Sequence, residues 1–306
     1  MNGARRIEVA GPAGTLAADV SGPGEAETVV LLHGFPQTRR CWDAVVPLLA
    51  SRYRVVALDL RGHGESAGPR PGPLGEGYDK RAMTADVLAV LDHLGAERAH
   101  VVGHDRGARL AYRFALDHPA RTATLAVLDI VPTSDEYEAL GGVGGVRSYL
   151  WYFLAQGDGL PEALLAGSER AFVEHTLRAW SGEHYRHPEH LVQHYAAAFA
   201  AAVPAACADY RAGLHLDAPL DERDRAAGHR IAAPTLVVCS GRRARPVAGQ
   251  AESTVHRAWR RWVDAPAIVP LADAGHFLPE ERPDEVAHHL LAAMTGEAQR
   301  APEAVR

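Results

Sequence analysis

The chain has 306 residues, 47% apolar and 23% charged, which is ordinary globular usage and excludes bulk disorder. Lys and Arg total 32 against 38 Asp and Glu, a formal net charge of −6 with the basic residues scattered. That balance excludes nucleic acid or an anionic membrane as the main partner, so any anion selectivity must be local. The length suits one large domain, or one domain carrying an inserted second unit.

Met1 to Arg6 leads directly into alternating, strand-like sequence without the apolar core of a signal peptide, and no run of about 18 apolar residues is evident. The three cysteines, Cys41, Cys207 and Cys239, lack metal-ligand spacing and fit a reducing cytoplasm. Two short segments, Arg6 to Val9 and Leu16 to Val20, read as an antiparallel edge. Apolar strands are then predicted at Thr28 to Leu32, Val55 to Asp59, Ala99 to Val102, Ala123 to Leu128, Thr235 to Cys239 and Ala267 to Leu271. Helical segments alternate with them near Trp42 to Leu49, Lys80 to Leu94, Arg106 to Asp117 and Pro283 to Met294. Such alternation predicts an α/β fold with a mostly parallel eight-stranded sheet covered on both faces.

The alternation stops between about Ser134 and Ile231, where Ser148 to Gln156, Ser168 to Trp180 and Pro188 to Phe199 are helical and no buried strand is evident. The expected organisation is a core at 1–133, a helical cap at 134–231, a second core segment at 232–296 and a tail at 297–306. Ala67 to Gly77, rich in Gly and Pro, reads as a loop.

Gly103-His104-Asp105-Arg106-Gly107 lies between a predicted strand and a predicted helix, the context of a nucleophile elbow with aspartate at its tip. A carboxylate is ionised at neutral pH and attacks carbon directly, giving an enzyme ester that water later cleaves. His276, in Ala274-Gly275-His276-Phe277 after the last strand, supplies the base that deprotonates this water. The loop after Cys239, Ser240 to Arg245, contains no acid to orient that imidazole, so Asp129 at the end of the preceding strand takes the role. The backbone N–H groups of Phe35, in His33-Gly34-Phe35-Pro36-Gln37, and of Arg106 are the expected oxyanion donors.

These residues resemble the haloacetate dehalogenases, particularly the fluoroacetate type, within the α/β-hydrolase family. The resemblance runs through His33 to Thr38, Gly103 to Arg109, Leu128 to Thr133, Phe153 to Gln156, Asp209-Tyr210-Arg211-Ala212-Gly213 and Gly275 to Glu280. The sharpest element is Asp105 followed by both Arg106 and Arg109. The resemblance implies that these arginines hold the carboxylate of a small haloacid, that Asp105 attacks the α-carbon, and that Trp151 and Tyr210 receive the halide. It also implies a homodimer, and no cofactor or metal. At the position where the group presents a halide-binding His, this chain has Leu150.

Each assignment has a plainer counterpart. Arg109 can be an ordinary helix-surface arginine, Asp129 a turn cap, and Trp151 and Tyr210 packing aromatics. His184, His187, His190 and His194 have spacings that can gather a metal, but Pro188 interrupts them and a solvated surface is the simpler reading. Arg242, Arg243 and Arg245 read as a solvent-facing loop, and Arg61-Gly62-His63-Gly64 as a structural turn. Two other functions remain open. An epoxide hydrolase uses the same Asp, His and acid with tyrosines from among Tyr149, Tyr152 and Tyr210, whereas a receptor on a degenerate hydrolase scaffold binds without turnover.

Overall fold

The computed structural model describes residues 4–140, 148–246 and 251–296; the predicted tail at 297–306 lies outside them. The strands are β1 (Arg5–Gly11), β2 (Gly14–Ser21), β3 (Thr28–Leu32), β4 (Arg54–Leu58), β5 (Ala99–His104), β6 (Thr122–Leu128), β7 (Thr235–Ser240) and β8 (Ala267–Leu271). They form one eight-stranded sheet in the order β1-β2-β4-β3-β5-β6-β7-β8. β1 pairs antiparallel with β2, and β2 antiparallel with β4. From β4 onward every pairing is parallel. Every residue of β3, β5 and β7 is buried, as a strand covered by helices on both faces requires.

One face of the sheet packs against α1 (Lys80–His93) and α2 (Arg106–Asp117), joining Val30, Val101, Val127 and Val237 to Val87, Leu110 and Phe114. The other packs Val29, Val102 and Val238 against Trp42, Leu49 and Leu290. α2 is buried from Arg106 through Ala115, so its three arginines lie inside the protein. The predicted helix at Trp42 to Leu49 is only a 3-10 turn at Arg39–Trp42 followed by one turn at Val46–Leu49, consistent with Pro47, which a helix accepts in its first turn.

Between β6 and β7 the described residues are helical, as predicted. They comprise α3 (Thr133–Ala139), α4 (Tyr149–Leu154), α5 (Leu160–Leu165), α6 (Glu169–Trp180) and α7 (Glu189–Ala212). α7 runs through a π-helical turn at Gly213–Asp217 into α8 (Ala218–Ala226). The resulting helix spans 38 residues and is long and apolar enough to cross a membrane by composition alone, yet half of its most apolar window is buried in the protein. Its Tyr195, Phe199, Val203, Cys207 and Tyr210 pack with Phe35 and Phe277 of the sheet's loops in a third core. The helix expected at Pro188 to Phe199 extends to Ala212, through Pro204, with Ala205 to Ala212 buried.

A helix the sequence reading missed, α9 (Thr254–Trp262), precedes β8. It buries Val255, Ala258, Trp259 and Trp262 at helical spacing, and the Ser253 side chain caps its start. α10 (Leu278–Glu281) and α11 (Pro283–Met294) close the chain.

Candidate active site

β5 ends at His104 and α2 begins at Arg106, which leaves Asp105 on the turn between them at φ +45°. Only a close-packed backbone makes so sharp an elbow. A Cβ at Gly103 would lie 2.4 Å from the Gly107 carbonyl oxygen, and one at Gly107 2.3 Å from that of Leu32. The elbow is fixed by the Asp105 N–H donating to Leu128 O at 3.2 Å and the Ala108 N–H donating to Asp105 O at 3.0 Å. It sets the carboxylate at the positive end of the α2 dipole.

The Phe35 N–H donates to Asp105 Oδ2 at 3.0 Å, so this predicted oxyanion donor meets the elbow carboxylate itself. The other, Arg106, begins α2 beside it. Burial alone would raise the Asp105 carboxyl, but His276, then His104 and Arg109, hold it well below the usual carboxylate range.

His276 Nδ1 lies 2.7 Å from Asp129 Oδ2. Asp129 stands at the carboxyl end of β6 with φ +56°, and its Oδ1 accepts from the Ser240 N–H at 2.8 Å. Burial would raise its carboxyl; the Arg243 charge, then His276, bring it down to about 2. The other imidazole nitrogen, His276 Nε2, is buried without a protein partner, 3.9 Å from Asp105 Oδ2. That separation is too long for a hydrogen bond, so these two groups couple through charge. Burial opposes the imidazolium, yet the two carboxylates outweigh it and raise His276 to about 9. The sequence-predicted trio is therefore brought together, with Asp129 orienting an imidazole whose free nitrogen faces the Asp105 carboxylate.

Asp105, Asp129, His276, Arg109, Leu150, Trp151 and Tyr210 all line one cavity of about 420 Å³. Arg109 is 1% exposed; Nη1 donates to the Val131 carbonyl at 3.0 Å, while Nε is buried without a partner. Thus Arg109 is not a surface residue. Arg106 does not line the cavity. Its guanidinium is bound by the Asp209 carboxylate and donates from Nη2 to the Asp209 carbonyl at 2.9 Å, leaving Nη1 buried and unpartnered. Burial would lower Arg106, but Asp209 more than compensates and raises it. The guanidinium carbons of Arg106 and Arg109 lie 5.3 and 4.4 Å from the Trp151 ring centre, and that of Arg106 lies 4.4 Å from Tyr210. These are cation–π distances.

Several residues on the cavity wall were absent from the sequence reading. Trp180 stands edge-on to His276, ring centres 5.2 Å apart, and accepts from the His276 N–H through its carbonyl at 2.8 Å. Arg243 corrects the reading of its loop as solvent-facing. Its Nε lies 3.5 Å from Asp129 and its Nη1 3.2 Å from Glu136, and those two carboxylates draw it inward. Glu136 also lies 3.7 Å from Arg109 Nη2. The signal for both residues is tertiary, since 107 positions separate the partners.

The reading of His184, His187, His190 and His194 as solvated surface also needs correction. His184 and His190 are exposed, but His187 Nε2 lies 3.0 Å from Glu280 and His194 Nε2 3.0 Å from Thr38 Oγ1. Together with Tyr195, which donates to Glu280 at 2.9 Å, they fasten the helices to the sheet's loops. Among the described residues no His, Cys, Asp and Glu group could hold a metal. Arg61-Gly62-His63-Gly64 is a turn whose Arg61 pairs with Asp86.

A carboxylate on a strand-to-helix elbow, an imidazole facing it and an acid behind that imidazole form the arrangement a hydrolase site requires. Residues 27–242 match the family model described as alpha/beta hydrolase fold. Over 284 residues, 90% of this chain and 89% of the relative, the sequence is 38% identical to a fluoroacetate dehalogenase from Burkholderia sp. It is 41% identical to a soluble epoxide hydrolase from Corynebacterium sp. (strain C12), over only 36% of each chain. A solved Pseudomonas aeruginosa protein, provisionally described as an epoxide hydrolase, superposes with a TM-score of 0.86 at 38% identity, covering 98% of this chain and 99% of that one. The chain belongs to the alpha/beta hydrolase family, and it is a hydrolase.

Proposed function

We propose that this hydrolase removes halide from short 2-haloacids, with the helices between β6 and β7 serving as the cap over its site. The observation that carries this reading is Arg109 Nε, a buried guanidinium donor without a partner on the cavity wall, with the unpartnered Arg106 Nη1 on the same helix that starts at Asp105. A buried, unpaired charged donor is costly; a substrate carboxylate satisfies Arg109 by a charge-assisted hydrogen bond that also aligns the α-carbon, and Arg106 completes the clamp by turning its free Nη1 toward the cavity. A neutral substrate leaves them unmet.

The reaction runs in two steps. An Asp105 carboxylate oxygen forms a bond to the α-carbon as the carbon–halogen bond breaks, and the halide departs with the bonding pair between Trp151 and Tyr210. Alkylation erases the charge of Asp105, one of the two carboxylates that hold His276 protonated. The imidazolium then gives its Nε2 proton to solvent, so His276 becomes a base only once the ester exists. Water then attacks the ester carbonyl carbon while Nε2 takes its proton and the Phe35 and Arg106 N–H groups hold the oxyanion; collapse breaks the bond between the acyl carbon and the ester oxygen, His276 passes the proton to the departing alkoxide, and the 2-hydroxyacid leaves with Asp105 restored.

Leu150 is 2% exposed and lines the cavity, where it offers no hydrogen bond to a departing halide. A hydrogen bond to a charged group contributes about 1.5–3 kcal/mol, and fluoride depends on one more than bromide does. Leu150→His is expected to raise fluoroacetate turnover about ten- to a hundredfold relative to bromoacetate, read as fluoride and bromide release. An unchanged ratio removes Leu150 from the account of halogen preference.

The second reading, epoxide hydrolysis, is favoured by Tyr149 and Tyr210, which both line the cavity. The deciding experiment incubates a His276→Ala variant with bromoacetate, chloroacetate and a styrene-type epoxide, then weighs the protein and its peptides. A stable ester on Asp105 from the haloacids alone is the expected result. An adduct from the epoxide alone replaces the proposal with the second reading, and no adduct from any of them leaves a binding protein.

A further inference from the structure

The cavity is larger than a haloacetate needs. Its volume of about 420 Å³ lies within the roughly 300–1,000 Å³ range of pockets that enclose drug-sized ligands. Beyond the groups assigned above, its wall holds Thr176 on α6 and Arg242 after β7. Thr176 is 1% exposed, and its hydroxyl is buried with no hydrogen-bond partner. Helical threonines commonly satisfy that hydroxyl on the carbonyl one turn back; this one does not, so an unmet donor and acceptor is held at the cavity wall.

Arg242 is exposed, as are Tyr149, His175 and Ala179 beside it on the wall; these residues mark the mouth. Its neighbour Arg243 is already balanced by Asp129 and Glu136. No carboxylate among the described residues pairs with the Arg242 guanidinium. The wall therefore offers a hydroxyl and a cation in addition to the pair that grips the first carboxylate.

Resting on the reading of the site as a 2-haloacid dehalogenase, we propose that its preferred substrates carry a second carboxylate beyond the α-carbon, received by the Thr176 hydroxyl and the Arg242 guanidinium. The chemistry at Asp105 is unchanged: the carbon–halogen bond breaks, halide leaves, water is consumed, and the product is a 2-hydroxy diacid.

Bromide release is measured for bromoacetate, 2-bromobutyrate and 2-bromosuccinate. The last two extend the chain by the same number of carbons, with and without the second charge. The wild-type kcat/KM for 2-bromosuccinate is expected to exceed that for 2-bromobutyrate by about tenfold or more. Thr176→Val and Arg242→Gln are each expected to lower that ratio by about fivefold or more through KM, while Thr176→Ser retains it. Turnover of bromoacetate with no preference for the diacid, or a preference that both variants leave intact, overturns the second-carboxylate proposal alone. Bromide from none of the three overturns the dehalogenase reading along with it.

Discussion

Asp105→Asn is expected to lower bromide release from bromoacetate by about four orders of magnitude or more, while leaving the fold in place. Asparagine tolerates positive φ nearly as well as aspartate, so it can keep the elbow at +45° and still accept from the Phe35 N–H. What disappears is the anionic oxygen that attacks carbon. The same substitution has a second signature, because His276 is held at about 9 by Asp105 and Asp129 together, against burial. With an amide at 105 only Asp129 remains, and the His276 pKa falls. That neutral side chain imitates the charge of the alkylated enzyme, so NMR titration of His276 in Asp105→Asn tests whether the imidazole is released as a base by the first chemical step. Activity within tenfold of wild type, or a His276 titration that stays near 9, refutes the mechanism.

The meeting of Asp105, His276 and Asp129 was legible because each member sits on a local signature. Asp105 lies between an apolar strand and an amphipathic helix, His276 follows the last strand in a Gly-His-Phe run, and Asp129 directly follows β6. Strand ends in a parallel sheet converge on one edge, so placing the strands placed the trio. The balance of charge around it was not legible. Arg243 and Glu136 meet only because the loop after β7 folds over the start of α3, and a cluster of three arginines with no acid nearby in sequence reads as a solvated loop. His187 likewise looks like surface until Glu280 is brought against it. α9 was missed because Trp and Arg crowd together at 254–262, although the apolar spacing was there to count.

The Asp209-Tyr210-Arg211-Ala212-Gly213 block supported the family resemblance without giving a reason for its acid. The structure gives one. Asp209 is the shared partner of two buried cations, Arg106 and Lys80. Burial would raise its carboxyl, but Arg106 and then Lys80 hold it well below the usual range. The next residue, Tyr210, lines the cavity with its ring against the same Arg106. One turn of α7 thus fixes an arginine of the proposed clamp and one wall of the cavity.

Asp209→Ala is therefore expected to destabilise the protein by about 3–5 kcal/mol, the usual consequence of removing one partner from a buried ion pair. It is also expected to raise KM for haloacids, because Arg106 loses the carboxylate that orients it. Urea unfolding and bromide-release kinetics read the two effects separately. The nearby Asp217 makes the stability loss depend on pH. Its Oδ1 accepts from the Lys80 N–H at 2.8 Å, and its carboxyl is raised to about 7 by burial, with the Asp209 charge adding to that effect against the pull of Lys80. Without Asp209 this repulsion ends and Asp217 becomes the carboxylate left for Lys80, so its pKa falls and its ionised form balances part of the buried, unpaired positive charge. At pH 8 Asp217 is ionised and the loss is smaller; at pH values below its lowered pKa it is neutral, both cations are unbalanced, and the loss is larger. A loss under about 1 kcal/mol with KM unchanged would show that Asp209 neither stabilises the core nor positions Arg106. A loss independent of pH would remove Asp217 from the network.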